Sequence, residues 1–127
     1  MRARILYISR YEDDGRRLAQ TLHTLRLVVD HVSTLRQAGL QLQQEEYDVV
    51  LTEAVVQDGN WLDVLHLARK SSRELRVVIS DSHADARFRA RALDMGAYDL
   101  LTQPSCEPEV RRILFSACST PLCEATA

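Results

Sequence analysis

Glycine is scarce in this chain: there are four in 127 residues, and none of them stands in a G-x-G-x-x-G array. The sequence therefore lacks a glycine-rich loop that could cradle phosphate groups, which argues against a nucleotide-binding enzyme. Cysteine is also rare, and the three present include no C-x-x-C pair. Neither a disulfide framework nor a zinc site is indicated, and we expect reduced thiols in a cytoplasmic protein.

Positive charge is not in excess either. The 16 Lys and Arg residues face 18 Asp and Glu residues, and the formal net charge is −2. Proteins that bind nucleic acid or anionic membranes usually carry a basic surface, so neither is an expected partner. No apolar run approaches the ~20 residues of a membrane span, and the N-terminal run is too short for a signal peptide. The four histidines show no metal-ligand spacing: His23, His31, His66 and His83.

What the chain does contain is a regular alternation of two patterns. Hydrophobic residues make up 46% of it and charged residues 27%, as in ordinary globular domains. Short apolar runs predict five strands, at residues 4–9, 25–32, 48–53, 75–80 and 98–102. Helical spacing predicts helices at about 11–25, 34–47, 61–70, 85–95 and 107–118. Gly96 is placed to end the fourth of them, where a left-handed residue is favoured.

This alternation predicts an α/β fold with one doubly wound, three-layer domain. Strands that are each followed by a helix pair in parallel through right-handed crossovers, so five strands and five helices form a single sheet covered on both faces. We expect this domain to span residues 1–118, with residues 119–127 as a C-terminal tail. In such a sheet, ligands bind beyond the carboxyl ends of the strands. Those positions hold Ser9, Arg10, Glu53, Ser80, Asp81, Thr102, Gln103 and Pro104.

Four segments, in the order DVVLTE, VVQDGNWLDVL, VVIS and RALDMGAYDLLTQP, resemble the receiver domain of bacterial two-component response regulators. The resemblance covers about residues 4 to 117. Its strongest part is the last segment, which is similar to A-L-x-x-G-A-x-D-Y-L-x-K-P. The resemblance implies a CheY-like, flavodoxin-like fold with strand order 2-1-3-4-5 and a role in phosphorelay signal transduction, not in enzymatic catalysis.

The resemblance also implies which residues stand at the family's reaction site. The phosphoacceptor aspartate is replaced by Glu53, and the acidic pair that holds Mg²⁺ is replaced by Ser9 and Arg10. Glu53 carries its carboxylate one methylene too far for phosphoryl transfer, and Arg10 would repel a divalent cation. We therefore expect a degenerate receiver, or pseudo-receiver, that has lost the Mg²⁺ site and is not phosphorylated at Glu53.

The residues of the family's switch are altered as well. The hydroxyl survives as Ser80, the lysine becomes Gln103 and the switch aromatic becomes Leu100. Strand alternation places Tyr98 on the same side as Leu100, where it could substitute for the aromatic. Ser80 has a simpler interpretation, as a strand-end hydroxyl that bonds to backbone.

Arg10 and Glu53 lie on strands that are adjacent in the implied order. We predict that they form an internal ion pair in the volume that metal and phosphoryl group would otherwise occupy. The alternative is that Arg10 is a solvated loop cation. A second alternative keeps phosphorylation at a displaced acceptor, either Asp58, Asp81 or the Glu12 to Asp14 cluster, although that cluster is also suited to capping the first helix. A third gives the metal-free pocket a small organic ligand.

The expected partners are proteins: a histidine kinase, an output domain or another regulator, with a homodimer as a further option. The resemblance assigns their contact to the fourth helix, the fifth strand and the fifth helix. Arginines are concentrated on these two helices, at Arg87, Arg89, Arg91, Arg111 and Arg112, although such a cluster can also be a solvated face. Trp61, where the family usually has glycine, is predicted either to cover the pocket or to form an exposed docking contact.

Overall fold

The computed structural model describes residues 4–10, 18, 20–25, 27–71, 75–81, 85–102 and 107–126, with side chains as far as Cys118 in the last range. Its main strands are β1 (Arg4–Ile8), β2 (Val28–Val32), β3 (Val49–Glu53), β4 (Arg76–Asp81) and β5 (Asp99–Thr102). Helix α1 includes residues 18 and 20–24. It is followed by α2 (Leu35–Gln44), α3 (Trp61–Arg69), α4 (Ala86–Met95) and α5 (Glu107–Thr126).

The five strands form one parallel sheet in the order β2-β1-β3-β4-β5. This confirms the predicted α/β flavodoxin-like fold, its strand order and its five helices. β3 is the central strand, and all its residues except the last are buried. The carboxyl end of β3 therefore opens at the middle of one sheet edge, between β1 and β4.

Side chains alternate across the sheet and supply a separate core to each face. Leu6 and Ile8 of β1 belong to the core beneath α2, α3 and α4, which we call the α2–α4 face. Ile5 and Tyr7 belong to the core beneath α1 and α5, which we call the α1/α5 face. Gly96 ends α4 with φ of 114°, as the sequence predicts, because a residue with a side chain is strained in this left-handed conformation.

Three predicted boundaries are wrong. The second helix ends at Gln44 and not at about residue 47. The second strand does not begin at Leu25, whose N–H bonds to the carbonyls of Thr21 and Leu22 at 3.2 and 3.1 Å and so ends the first helix. The apolar run misleads here because Leu25 and Leu27 are buried without belonging to the strand. The last helix is helical to Thr126 and not only to Cys118, because a packed helix can add backbone hydrogen bonds beyond the residues it buries.

A short antiparallel hairpin that the sequence does not predict connects β3 to α3. It consists of Val55–Val56 and Gly59–Asn60, and we call it the β3–α3 hairpin. Asn60 also begins α3 in a capping box, in which its side chain accepts the N–H of Asp63 and the Asp63 carboxylate accepts the N–H of Asn60. Within the described ranges, no helix is both long and apolar enough for a membrane span.

Candidate functional site

Glu53 is the last residue of β3, and its side chain is 15% exposed. Its Cα neighbour across the β3–β4 ladder is Ser80. On the other side, β1 ends at Ile8 and the chain continues through Ser9 to Arg10, whose N–H reaches the Glu53 carboxylate. The structure thus places four of the predicted site residues at one sheet edge, whereas Gln103 and Pro104 lie outside the described residues.

The main contact between Arg10 and Glu53 is made by the arginine backbone. The Arg10 N–H donates to Glu53 Oε1 at 2.8 Å, while Arg10 Nε lies 4.0 Å from the same oxygen. The arginine side chain is 38% exposed. The predicted internal ion pair therefore exists only as a loose, partly solvated pair, because the extra methylene carries the carboxylate to the β1–α1 backbone.

Side chains with hydroxyl groups lie at the strand ends beside Arg10 and Glu53. We call this part of the sheet edge the Glu53 corner. Ser9, Thr52 and Ser80 are the three buried polar residues that the structure describes at the strand ends. The Ser9 N–H donates to the Val32 carbonyl at 3.1 Å, and the Thr52 hydroxyl donates to the Glu53 carbonyl at 2.9 Å. The strand ends beneath the Glu53 side chain are thus buried and hydrogen-bonded to the backbone.

The prediction that Tyr98 shares a side with Leu100 is wrong. Leu100 is buried on the α2–α4 face, whereas Tyr98 packs on the α1/α5 face. Alternation does not apply between them because β5 begins only at Asp99. The Tyr98 hydroxyl instead hydrogen-bonds the Ser116 hydroxyl at 2.6 Å, and the Arg76 guanidinium lies 5.1 Å from the ring centre.

The displaced acceptors proposed from the sequence occupy different places. Asp58 lies in the β3–α3 hairpin, and its carboxylate accepts the N–H groups of Leu35 at 2.7 Å and Arg36 at 3.3 Å. It therefore binds the first turn of α2. Asp81 ends β4 opposite Thr102. Glu12, Asp13, Asp14 and His83 lie outside the described residues.

Trp61 is not an exposed docking contact, since it is only 8% exposed. The backbone N–H of Trp61 donates to the carbonyl of Ala54, the residue directly after Glu53, at 2.9 Å. Its indole packs against Phe88 of α4, with ring centres 5.6 Å apart, and the Arg91 guanidinium lies 5.8 Å from the indole centre. Trp61 thus joins the end of β3 to α4.

Some of the arginines on α4 and α5 contact other side chains of the domain and do not only face solvent. Arg89 pairs with Asp99 of β5 at 3.0 Å, and Arg111 lies 5.9 Å from the ring of Phe115. Arg87 and Arg112 are exposed. Exposed apolar side chains accompany them on the same helices, at Leu93, Met95 and Phe115.

Sequence reasoning missed a polar network that joins the start of β1 and the middle of β2 to α2 and to the residues after it. The Tyr47 hydroxyl donates to Asp30 at 2.5 Å and accepts from the Gln41 amide at 2.8 Å, and Arg4 pairs with Asp30 at 3.1 Å. Burial, followed by the hydrogen bond to Asp30, raises the pKa of Tyr47 to about 12. The buried Tyr47, placed beyond the last helical residue of α2, is the signal that could have located this network.

A groove of about 510 Å³ runs beside this network, between β2 and α2. Its lining includes Asp30, His31, Leu40 and Gln41, and none of the strand-end residues around Glu53. The small organic ligand proposed from the sequence was assigned to the corner at Glu53, so this groove is a separate feature. Within the described residues, no group of three or more His, Cys, Asp or Glu side chains is arranged to bind a metal ion.

Comparisons with known proteins identify the family. The family model for the response regulator receiver domain matches residues 12–115. The chain is 27% identical over 96 residues to a probable transcriptional regulatory protein, SilR, of Salmonella typhimurium, a match covering 73% of this chain and 42% of SilR. It is 26% identical over 107 residues to the response regulator protein PilR of Pseudomonas aeruginosa, covering 84% of this chain and 24% of PilR.

These curated relatives are longer proteins, and the chain spans less than half of their length. Among solved structures, the signal receiver domain assigned to a LuxO repressor protein of Vibrio parahaemolyticus superposes with a TM-score of 0.89, at 17% identity. That match covers 99% of this chain and 97% of the other. At such identity the superposition shows the shared fold, while the family rests on the model match. The chain belongs to the response regulator receiver domain family of two-component signalling.

Proposed function

We propose that this domain is an atypical receiver that works in the cytoplasm through protein contacts, without phosphorylation at Glu53. One observation carries the proposal: Glu53 Oε1 accepts the Arg10 N–H at 2.8 Å. The carboxylate at the phosphoacceptor position is thus hydrogen-bonded to the backbone N–H of Arg10, after β1. A phosphoryl acceptor must present an oxygen in line with the incoming group, because phosphoryl transfer depends mainly on positioning and electrostatics.

The side chains around Glu53 do not suit Mg²⁺. This ion prefers several oxygen ligands in octahedral geometry, usually one or two carboxylates with water. At the positions of the family's acidic pair, the chain has the buried Ser9 and a cationic Arg10 whose Nε lies 4.0 Å from the Glu53 carboxylate. A positive charge at that distance opposes a divalent cation. We therefore assign no Mg²⁺ to this corner.

The contacts of Asp58 weigh against the alternative of a displaced acceptor. Its two carboxylate oxygens are engaged by Leu35 and Arg36 at the start of α2. Phosphorylation would break both hydrogen bonds and place a dianion between α2 and the β3–α3 hairpin. Asp58 therefore serves as a structural carboxylate in this proposal.

Titration with beryllium fluoride and Mg²⁺, followed by NMR amide shifts, tests the proposal directly, since this phosphoryl mimic binds only a competent acceptor with its metal. The comparison variant restores the family pattern with Ser9→Asp, Arg10→Asp, Glu53→Asp and Gln103→Lys. We expect no saturable shift around Glu53 and Ser80 in the natural chain and a saturable shift in the variant. Saturable shifts in the natural chain would overturn the proposal.

We further propose that the protein contact uses α4, β5 and α5. The exposed Leu93, Met95 and Phe115 give this surface apolar contact area, and Arg87 and Arg112 give it positive charge. A photo-crosslinking residue placed at Leu93 in the source bacterium should give discrete protein adducts. The same residue placed at Leu40, which is exposed on α2, is the matched control. Equal adducts at both positions, or adducts at Leu40 alone, would contradict this surface.

A further inference from the structure

We propose that Trp61 is a positioning residue that couples the Glu53 corner to α4. The inference rests on the proposed function in taking Glu53 to act through its hydrogen bond to Arg10 and not through phosphorylation. It concerns a connection within the fold that uses the Trp61 side chain, and not the Ser80 hydroxyl or the Leu100 side chain. Three observations carry it: the small buried part of α4, the packing of the indole against Phe88, and the backbone hydrogen bond that joins Trp61 to the residue after Glu53.

Helix α4 buries few of its residues against the sheet. All ten of its residues are described, and Ala92 is the only one that is buried. Two polar contacts lie at its margin: Arg89 pairs with Asp99 of β5, and the Met95 carbonyl accepts a hydrogen bond from the Arg69 guanidinium. With one small side chain fully buried, α4 depends for much of its packing on the partly buried Phe88.

The indole of Trp61 makes an aromatic contact with α4. Trp61 belongs to the core of the α2–α4 face, and the partly buried Phe88 packs against that core. The two ring centres are 5.6 Å apart with the planes tilted by 43°, within the range of attractive aromatic pairs. Arg91, one turn further along α4, lies 5.8 Å from the indole centre, near the outer limit of a cation–π contact.

The same residue is tied to the Glu53 corner through the main chain. The Trp61 backbone N–H donates to the Ala54 carbonyl at 2.9 Å, and the Ala54 backbone N–H donates to the Ser80 carbonyl at 3.3 Å. Ala54 follows Glu53 directly, and Glu53 holds the Arg10 backbone. A shift of the carboxyl end of β3 is therefore passed by one hydrogen bond to Trp61 and by one aromatic contact to α4.

A double-mutant design with amide exchange in α4 as the readout tests the coupling, with no phosphoryl donor present. Glu53→Ala should speed the exchange of α4 amides by roughly 2- to 30-fold, the range of couplings measured through packed networks. Trp61→Leu should speed it as well, and adding Glu53→Ala should then have no further effect. Trp61→Phe keeps an aromatic ring and should preserve the effect of Glu53→Ala. A residue that merely supports the core would give additive effects instead.

Two further variants keep the test sound if Trp61→Leu folds poorly. Phe88→Leu removes the other ring from a partly buried position and should abolish the Glu53→Ala effect in the same way. Leu67→Ala is the control, because Leu67 lies on α3 toward α2, with its Cδ1 3.6 Å from where a side chain on Gly39 would begin. The effect of Glu53→Ala should persist in that background.

Fluorescence gives an independent reading, since Trp61 is the single tryptophan of the chain. Glu53→Ala should shift its emission to the red as the contact with Phe88 loosens. Unchanged α4 exchange and unchanged emission in Glu53→Ala would overturn the coupling, as would additive effects of Glu53→Ala and Trp61→Leu. Saturable beryllium fluoride shifts in the natural chain would overturn the proposed function alone, because the variants are compared without it.

Discussion

Asp58 and Leu35 are joined by a hydrogen bond of 2.7 Å that ties the β3–α3 hairpin to the first residue of α2. The bond crosses 23 positions of the chain. It places a carboxylate at a helix N-terminus, where free N–H groups and the helix dipole favour negative charge. Thr34 caps the same helix by accepting the N–H of Gln37, so α2 begins with two side-chain acceptors.

Replacing Asp58 with alanine should lower the free energy of unfolding by about 1 kcal/mol, the usual cost of losing a capping side chain. Asp58→Asn should cost less, because the amide oxygen still accepts a hydrogen bond but carries no charge. Urea denaturation at matched salt measures both. Asp94→Ala, an exposed position on α4, is the control and should stay within about 0.5 kcal/mol. Equal losses at Asp58 and Asp94 would contradict a capping role.

Two glycine-to-alanine changes should have opposite effects. A Cβ on Gly59 would clash with Leu35 Cδ1 and would lie 2.5 Å from Asp63 Oδ2, which is fixed in the capping box of α3. We expect Gly59→Ala to cost about 1–3 kcal/mol, as in other overpacked sites. Gly39→Ala, inside α2 with ordinary contact to Leu67, should instead stabilise the fold by up to about 1 kcal/mol.

Thermal and urea unfolding of the two glycine variants measure the difference. Pairing Gly59→Ala with Asp63→Ala gives a further check, because the alanine should cost less once the fixed carboxylate is gone. A stabilising Gly59→Ala would show that the hairpin can move away from α3 without loss.

Tyr47 should make stability depend on pH in the alkaline range. Its pKa is raised from 10.0 to about 12 in the folded chain, so the folded state holds the phenol proton more tightly than the unfolded state. This contribution is fully present below pH 10 and is lost as the pH rises toward 12. Tyr47→Phe should remove that part of the pH dependence. The pKa of Cys118 is raised to about 11 by burial, so the comparison belongs in a Cys118→Ala background.

Glu53 should protect one backbone amide from exchange. The Arg10 N–H bonds to Glu53 Oε1, whereas the neighbouring Ser9 N–H bonds to the Val32 carbonyl. Hydrogen exchange at Arg10 should therefore speed up in Glu53→Ala and in Glu53→Asp, whose carboxylate is one methylene shorter. Glu53→Gln keeps an acceptor oxygen at the same reach and should retain most of the protection. Exchange at Ser9 should stay unchanged in all three variants, and equal changes at both amides would show general loosening of the loop.

The parts of the fold that were predictable from sequence are those that follow from periodicity. The alternation of apolar runs and helical spacing located the five strands, and Gly96 marked the end of α4, because each signal is local. The start of β2 was not predictable in this way, since Leu25 and Leu27 are apolar for burial beside a helix end. The β3–α3 hairpin was missed because its strands are only two residues long, and Asp58 between them contacts a helix that is distant in the sequence.

The candidate site divides along the same line. The strand-end rule brought Ser9, Arg10, Glu53 and Ser80 together because parallel strands end at one edge. The chemistry between them was only partly predictable, since the sequence named Arg10 as a partner of Glu53 but the backbone N–H makes the shorter contact. The partner of Trp61 depends on how α4 is seated, and no local pattern in the sequence encodes that.

The two outer strands of the sheet carry the same arrangement. β2 holds Asp30, paired with Arg4 at 3.1 Å, and β5 holds Asp99, paired with Arg89 at 3.0 Å. A sheet with open edges can recruit strands from other molecules and grow into aggregates, and charged side chains on the edge strands oppose this. Bringing a foreign strand against either edge would desolvate an ion pair whose carboxylate is already partly buried. These two aspartates thus help this sheet to stay at five strands.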